Sequence, residues 1–336
     1  MADPLRLATW DGGFSRHGPG LLYEALGKDD PQIAAAVTVI AALDADVLLL
    51  TGFDYDAGGL ALRALTDRLA AAGAAYPHTL ALRPNAGVPT GLDLDRNGQL
   101  GQARDAMGYG RFAGQGAMAL LSRLPIDTAG VTDFTGFLWA DLPGNLIPAD
   151  EPAAVRAVQR LSSTGHWQVP VLLPGGGRLM LLAFAATPPV FDGPEDRNGR
   201  RNHDETAFWL RLLDGALPAP PPAAPFVVLG KVNLDPADGD GRRQALRALL
   251  ADPRLQDPQP RGSHGRHDPG QAGDAALDTA LFEKGVGGLR VDYVLPGAGL
   301  RVLGAGVLWP GAPDALAGPL MAASDHYPVW VDLDLP

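Results

Sequence analysis

The chain contains no cysteine. That excludes disulfides, a thiolate nucleophile and any cysteine-ligated zinc site. It does not fix a compartment, because 336 residues can bury a core large enough to stand without covalent staples. Lysine is nearly absent too: Lys28, Lys231 and Lys284 are the only three among 27 basic residues. Acidic residues number 38, which gives a formal charge of −11. Binding a phosphate backbone needs a basic face, and no block of Lys and Arg supplies one, so nucleic acid is not expected as the main partner. One short run, Arg197-Asn-Gly-Arg200-Arg201-Asn-His203, reads either as a local basic cleft or as a solvated loop. No apolar run reaches membrane-spanning length, so no membrane insertion is expected. The opening Met1-Ala-Asp-Pro-Leu5 lacks the basic start and apolar stretch of a secretory leader. A cytoplasmic location is therefore expected, unless a leader has been removed.

What remains is 46% hydrophobic and 19% charged, with 43 glycines and 31 prolines. This balance suits a packed core with many tight loops and falls short of a disordered composition. Alternation predicts a strand over Leu5–Trp10. Ile33, Val37 and Ile40 fall at helical spacing behind Pro31, which predicts a helix over Pro31–Leu43. Val47-Leu-Leu-Leu50 reads as a strand buried on both faces, and Gly59–Ala72 as an amphipathic helix. The Gly/Asp-rich stretch Asn85–Gly116 reads as a long loop. Further strands are predicted at Ala117–Leu121, Val169–Leu173, Leu179–Ala185, Phe226–Leu229, Val291–Leu295 and Val329–Leu333. Helices are predicted at Asp204–Leu213 and Arg242–Leu250. Strands and helices interleave to the end, and the Pro218–Pro225 patch is read as an internal loop. Residues 1–336 are accordingly expected to form one domain.

Six blocks, in order and each at a predicted strand end, resemble the endonuclease/exonuclease/phosphatase superfamily, the DNase I-like fold. They are Leu7-Ala-Thr-Trp-Asp11, Asp46-Val-Leu-Leu-Leu-Thr-Gly52-Phe-Asp, Gly116-Ala-Met-Ala-Leu-Leu-Ser-Arg-Leu-Pro-Ile, Gly230-Lys231-Val-Asn233, Arg290-Val-Asp292-Tyr-Val-Leu and Ala323-Ser-Asp325-His326. The block Thr187-Pro-Pro-Val-Phe-Asp through Asp204 is similar to a bacterial branch. The resemblance implies an α/β (α+β) architecture, a four-layer αββα sandwich of two mixed sheets flanked by helices, with the site at the sheet ends. It also implies a divalent ion, Mg²⁺ or Mn²⁺, that polarises phosphate, held by hard oxygen ligands. His326 corresponds to the catalytic histidine and Asp292 to the carboxylate that orients it, and Asp325 and Asn233 stand where the family has them.

Four other family positions are replaced. Asp11 stands for an asparagine, Gly52 for the metal-binding glutamate, Ala185 for a second histidine and Lys231 for the aspartate of Gly-Asp-x-Asn. Gly52 offers no ligand, and an ammonium at Lys231 would repel a metal ion. With Asp11 and Asp325 as its expected partners, Lys231 would replace the charge of the metal. With three lysines in 336 residues, one at any given position is roughly a one-in-a-hundred event.

The chain is thus expected to be a catalytically inactive homologue that needs no cofactor and binds a protein partner or serves as a structural subunit. The Asn85–Gly116 and Thr187–Asp204 loops are its expected contact surfaces. Two alternatives stand beside this. One is a metal-dependent phosphoesterase rebuilt from His326, Asp292, Asp325, Asn233 and Lys231 and using Mg²⁺ or Mn²⁺. The other is a non-catalytic binder of a phosphate-containing ligand gripped by Lys231. Elsewhere, Asp93-Leu-Asp95-Arg-Asn97-Gly98 resembles the start of a calcium loop, but Arg104 occupies the closing position, with Asp105 next. An Asp/Asn-rich turn is the favoured reading, with a weak calcium site at Asp93, Asp95 and Asn97 as the alternative.

Overall fold

The computed structural model describes residues 4–334 apart from 224 and 312; residues 1–3 of the opening segment therefore lie outside the described residues. One six-stranded sheet contains β1 (Leu5–Asp11), β2 (Val47–Phe53), β3 (His78–Leu80), β4 (Ala117–Ser122), β12 (Arg301–Val307) and β13 (Val329–Asp334). Their spatial order is β12-β13-β1-β2-β4-β3, with β1 and β2 parallel and the other pairs antiparallel. A five-stranded sheet contains β5 (Thr132–Asp133), β6 (Gly165–Leu172), β7 (Arg178–Ala185), β8 (Phe226–Lys231) and β11 (Asp292–Pro296), in the order β11-β8-β7-β6-β5. Here β7 and β8 are the parallel pair. A separate hairpin pairs β9 (Ala280–Phe282) with β10 (Gly287–Leu289).

Side-chain alternation assigns the layers. Along β7, Leu179, Leu181, Ala183 and Ala185 face the first sheet, while Leu182 and Phe184 face outward. On the outer side of the first sheet lie α1 (Leu21–Leu26), α2 (Pro31–Leu43), α3 (Leu60–Ala71) and α7 (Ala317–Ala323). On the outer side of the second lie α5 (Arg197–Leu213) and α6 (Gln244–Leu250), packed through Phe208, Trp209, Leu246 and Leu249; the short α4 spans Ala153–Arg156. The result is the predicted four-layer αββα sandwich. All seven residues of β2 are buried, as an unbroken apolar run between two covered faces requires. The start of α2 is set by Asp30, whose carboxylate accepts from the Gln32 and Ile33 backbone N–H groups, with Pro31 in the first turn. No helix among the described residues is long and apolar enough to cross a membrane.

Several boundaries differ from expectation. β6 begins at Gly165, four residues before the predicted start, because Gly165–Gln168 pair in register with Ala185–Leu182. α5 begins at Arg197, not Asp204, so the second half of the expected Thr187–Asp204 loop is helix. Its polar first turns are buried, which inverts the usual reading of a charged run as surface. α1, α7, β12 and the β9–β10 hairpin are additional.

Candidate active-site cleft

Parallel pairing brings strand ends to one edge of the sandwich. Asp11 closes β1, Ala185 closes β7 and Lys231 closes β8, while Asp292 opens the antiparallel β11 directly opposite Lys231. Val227 and Leu229 face the other sheet, so alternation points Lys231 inward as well. Its ammonium donates to Asp11 Oδ2 at 2.6 Å and links the two sheets across the top of the core. Asp11 also accepts from the Gly13 N–H at 3.1 Å. Burial opposes both charges, yet the pair wins: Lys231 sits above its ordinary value because of Asp11, and Asp11 sits below its own because of Lys231 and His326.

His326 is buried, with its Nδ1 2.8 Å from Asp292 Oδ2. Thr279 Oγ1 donates to that same carboxylate oxygen and accepts from the Val291 and Asp292 N–H groups. An ionised carboxylate only accepts, so His326 Nδ1 carries the proton and Nε2 is left facing outward. Burial pushes the imidazole down, but the Asp292 charge and hydrogen bond outweigh it and leave it raised. Asp292 Oδ1 is buried without a hydrogen-bond partner.

The remaining sites depart from the expected arrangement. Asp325 does not pair with Lys231. The preceding Ser324 is extended, donates to the Asp11 carbonyl at 2.6 Å and accepts from the His326 N–H, which turns Asp325 outward. The Asn233 side chain donates to the Ala186 carbonyl at 2.7 Å, so it ties β8 to the end of β7. Ala185 is buried in the intersheet core. Gly52 sits at the irregularity where β2 and β4 lose register, with φ +65°. A Cβ there would lie 2.3 Å from Asp11 Oδ1. The open cleft, of about 410 Å³, is lined by Asp11, Gly13, Phe282, Met321, Asp325 and His326 among others. Lys231 lies behind Asp11 and does not line it.

Sequence reading missed the support behind this cleft. Asn202 on α5 donates to the carbonyls of Thr187 and Val232, both at 2.7 Å, and so ties the extensions of β7 and β8 together. Glu205 accepts from the Ser163 N–H and hydroxyl and from the Thr187 N–H. Arg201 donates to the carbonyls of Met107, Arg160, Leu161 and Ser162. The run expected as a basic cleft or solvated loop is thus a buried polar clamp. A signal was present in Arg201, Asn202 and Glu205, which share one helical face with Phe208 and Trp209.

In the Asp93–Asn97 turn, carboxylate oxygens of Asp93, Asp95 and Asp105 lie within 4.8 Å of one another. The third acidic group is Asp105 in place of the expected Asn97. Asp105 already accepts from the Leu94 and Gln102 N–H groups, and Asp93 from those of Asn97 and Gly98.

The chain matches the model of the "Endonuclease/Exonuclease/phosphatase family" over residues 17–326. No curated protein matches significantly. Among solved structures it resembles an endonuclease/exonuclease/phosphatase from Beutenbergia cavernae, with a TM-score of 0.57 at 20% identity over 99% of this chain and 72% of that one. It also resembles sphingomyelinase C from Streptomyces griseocarneus (0.51, 18%, 98% and 99%) and a mannosyl-6-phosphatase from Bacteroides thetaiotaomicron (0.52, 13%, 98% and 100%). At these identities the likeness is one of fold.

Proposed function

Because the chain belongs to the endonuclease/exonuclease/phosphatase family, we propose that it is a catalytically inactive homologue that carries an internal ammonium where such enzymes hold a metal ion, and that it acts by binding a protein partner. The observation that carries this reading is the 2.6 Å Lys231–Asp11 pair beside a Gly52 whose side-chain space is already taken by the Asp11 carboxylate. A Mg²⁺ or Mn²⁺ ion needs several hard oxygens. Gly52 offers none, and Asp11 already holds Lys231. A divalent ion about 4 Å from that ammonium would meet a repulsion of roughly 8 kcal/mol at an effective dielectric of about 20. The residues present do not fit such an ion. Protein binding is supported by large apolar side chains exposed on the two segments expected as contact surfaces: Leu100 and Tyr109 on one, Phe191 on the other.

The intact His326–Asp292 pair favours a second reading, a rebuilt phosphoesterase. A phosphate grip by Lys231 has less support, since its ammonium is engaged behind Asp11. Hydrolysis of a generic phosphodiester and a phosphomonoester with Mg²⁺, Mn²⁺ or Ca²⁺ separates the first two. No metal-dependent turnover is expected. Turnover that disappears in His326→Ala would replace the inactive reading with the rebuilt enzyme.

A further inference from the structure

We propose that the cavity bounded by α1, the start of α3 and the Tyr55–Ala57 loop is the docking site for an acidic segment of the protein partner, which inserts one bulky apolar side chain. This rests on the protein-binding reading above and names its contact surface and the chemistry that surface selects. The cavity measures about 450 Å³ and shares no lining residue with the Asp11–His326 cleft. Leu22, Tyr23, Tyr55, Ala61 and Phe112 give it apolar and aromatic walls, and its size is that of pockets that accept a ligand or an anchoring side chain. Phe112 comes from the Asn85–Gly116 segment already expected as a contact surface. Leu21 and Leu60, each next in sequence to a lining residue, stand exposed at its edge, as does Tyr23. A small molecule held in the cavity would leave Leu21 and Leu60 bare, whereas a chain segment laid across the rim covers them as well.

The walls are fixed before anything binds. Asp54 accepts from the Arg16 N–H at 2.8 Å and the Gly116 N–H at 2.9 Å, and the Tyr55 N–H donates to the Gly114 carbonyl at 2.8 Å. Asp56 accepts from the Leu60 and Ala61 N–H groups and so caps α3. Both lining carboxylates are thus spent on main-chain donors, and Glu24 on α1 is paired with Lys28. The nearby arginines are unspent. Arg83 lines the cavity, Arg63 lies over the Gly59 turn and Arg111 adjoins Phe112. Among the described residues no carboxylate comes within 4.0 Å of any of the three guanidinium groups. That of Arg111 meets the His17 ring instead, at 3.2 Å. A preformed apolar pocket with an unspent basic rim fits an aromatic or aliphatic side chain flanked by Asp or Glu. On a chain of net charge −11 most of the surface repels such a segment, so the rim also sets where it lands.

The test uses the full chain and fluorescein-labelled Gly-Asp-Glu-Phe-Glu-Asp-Gly, followed by fluorescence polarisation. One control peptide carries alanine in place of phenylalanine, a second carries asparagine and glutamine in place of the acids, and oligothymidylate serves as a competing polyanion. Saturable binding that weakens with salt is expected, about tenfold weaker for either control peptide and for Arg83→Ala, as loss of a buried ring or of a charge-assisted contact implies. Ala57→Trp, at an exposed lining position, should fill the cavity and abolish binding while the urea midpoint stays unchanged. Equal binding of either control peptide, tighter binding of oligothymidylate, no effect of Arg83→Ala, unaltered binding in Ala57→Trp, or no binding at all would overturn the inference. Hydrolysis measured on the same preparations separates the two claims. Turnover defeats the inactive reading whatever the peptides do, whereas absence of both turnover and peptide binding defeats only the docking site.

Discussion

Placing a single methyl group at residue 52 should disturb the molecule well beyond its size. Gly52 has φ +65°, a left-handed backbone that costs an L-residue about 1–2 kcal/mol. The new Cβ would also stand 2.3 Å from Asp11 Oδ1 and 2.7 Å from both Cγ and Oδ2, so the carboxylate must move. It is held by Lys231 at 2.6 Å and by the Gly13 N–H at 3.1 Å, and yielding leaves a largely buried ammonium without its partner. Breaking a buried pair costs about 3–5 kcal/mol, and the residual exposure of both side chains favours about 3. Gly52→Ala is therefore expected to destabilise by about 4–5 kcal/mol in total. In an Asp11→Ala/Lys231→Met background the pair is already gone, and the same substitution should cost only the backbone strain of about 1–2 kcal/mol. Urea unfolding of the four proteins, followed by tryptophan fluorescence, closes the cycle. A cost that is equal in the two backgrounds would refute the claim that Asp11, held by Lys231, occupies the space of a side chain at 52.

The other tests address stability away from the cleft. His166 is fully buried, accepts from the Ser162 hydroxyl, donates to the Glu205 carbonyl, and is pushed down to about 4 by burial. Between pH 6.5 and 4 the unfolded chain binds a proton that the native state refuses, so stability should fall by about 3 kcal/mol as pH drops through that window. His166→Gln should flatten that part of the pH–stability profile, and an unchanged slope would contradict the assignment. Arg201→Met strands four carbonyls and leaves Glu205 without its neighbouring cation. A loss of about 3–5 kcal/mol in urea unfolding is expected, and a loss under about 1 would show the clamp to be dispensable.

Elements whose period matches their burial were legible in the sequence. α2 runs over Pro31–Leu43 as its apolar spacing and Pro31 indicate, and β7 was missed by one residue. β12 was not legible. Its Gly304 and Gly306 interrupt the strand pattern, yet a Cβ at Gly306 would lie 2.7 Å from the Trp330 ring, so the glycine lets that ring lie across the strand. The first turns of α5 were hidden because buried charge looks like surface charge until its backbone partners are known. At the cleft, motif order brought Asp11, Lys231, Asp292 and His326 to one edge. Which carboxylate Lys231 would choose depended on the extended backbone at Ser324, which no residue pattern announces. Gly52 could be identified as a missing ligand, but not as space already filled by Asp11.

The residues that shape the cleft and the residues that hold its walls together are different residues. Asn202 and Glu205 grip the extensions of β7 and β8 from the outer helix layer, and Arg201 beside them holds the carbonyls of Met107 and of Arg160–Ser162 ahead of β6. Positions 11, 52, 185 and 231 contribute nothing to that grip. A scaffold divided in this way can have its working surface rewritten while its frame stays the same. For protein engineering, the cleft is then the place to install new recognition, and the Arg197–Glu205 turns are the segment to leave untouched.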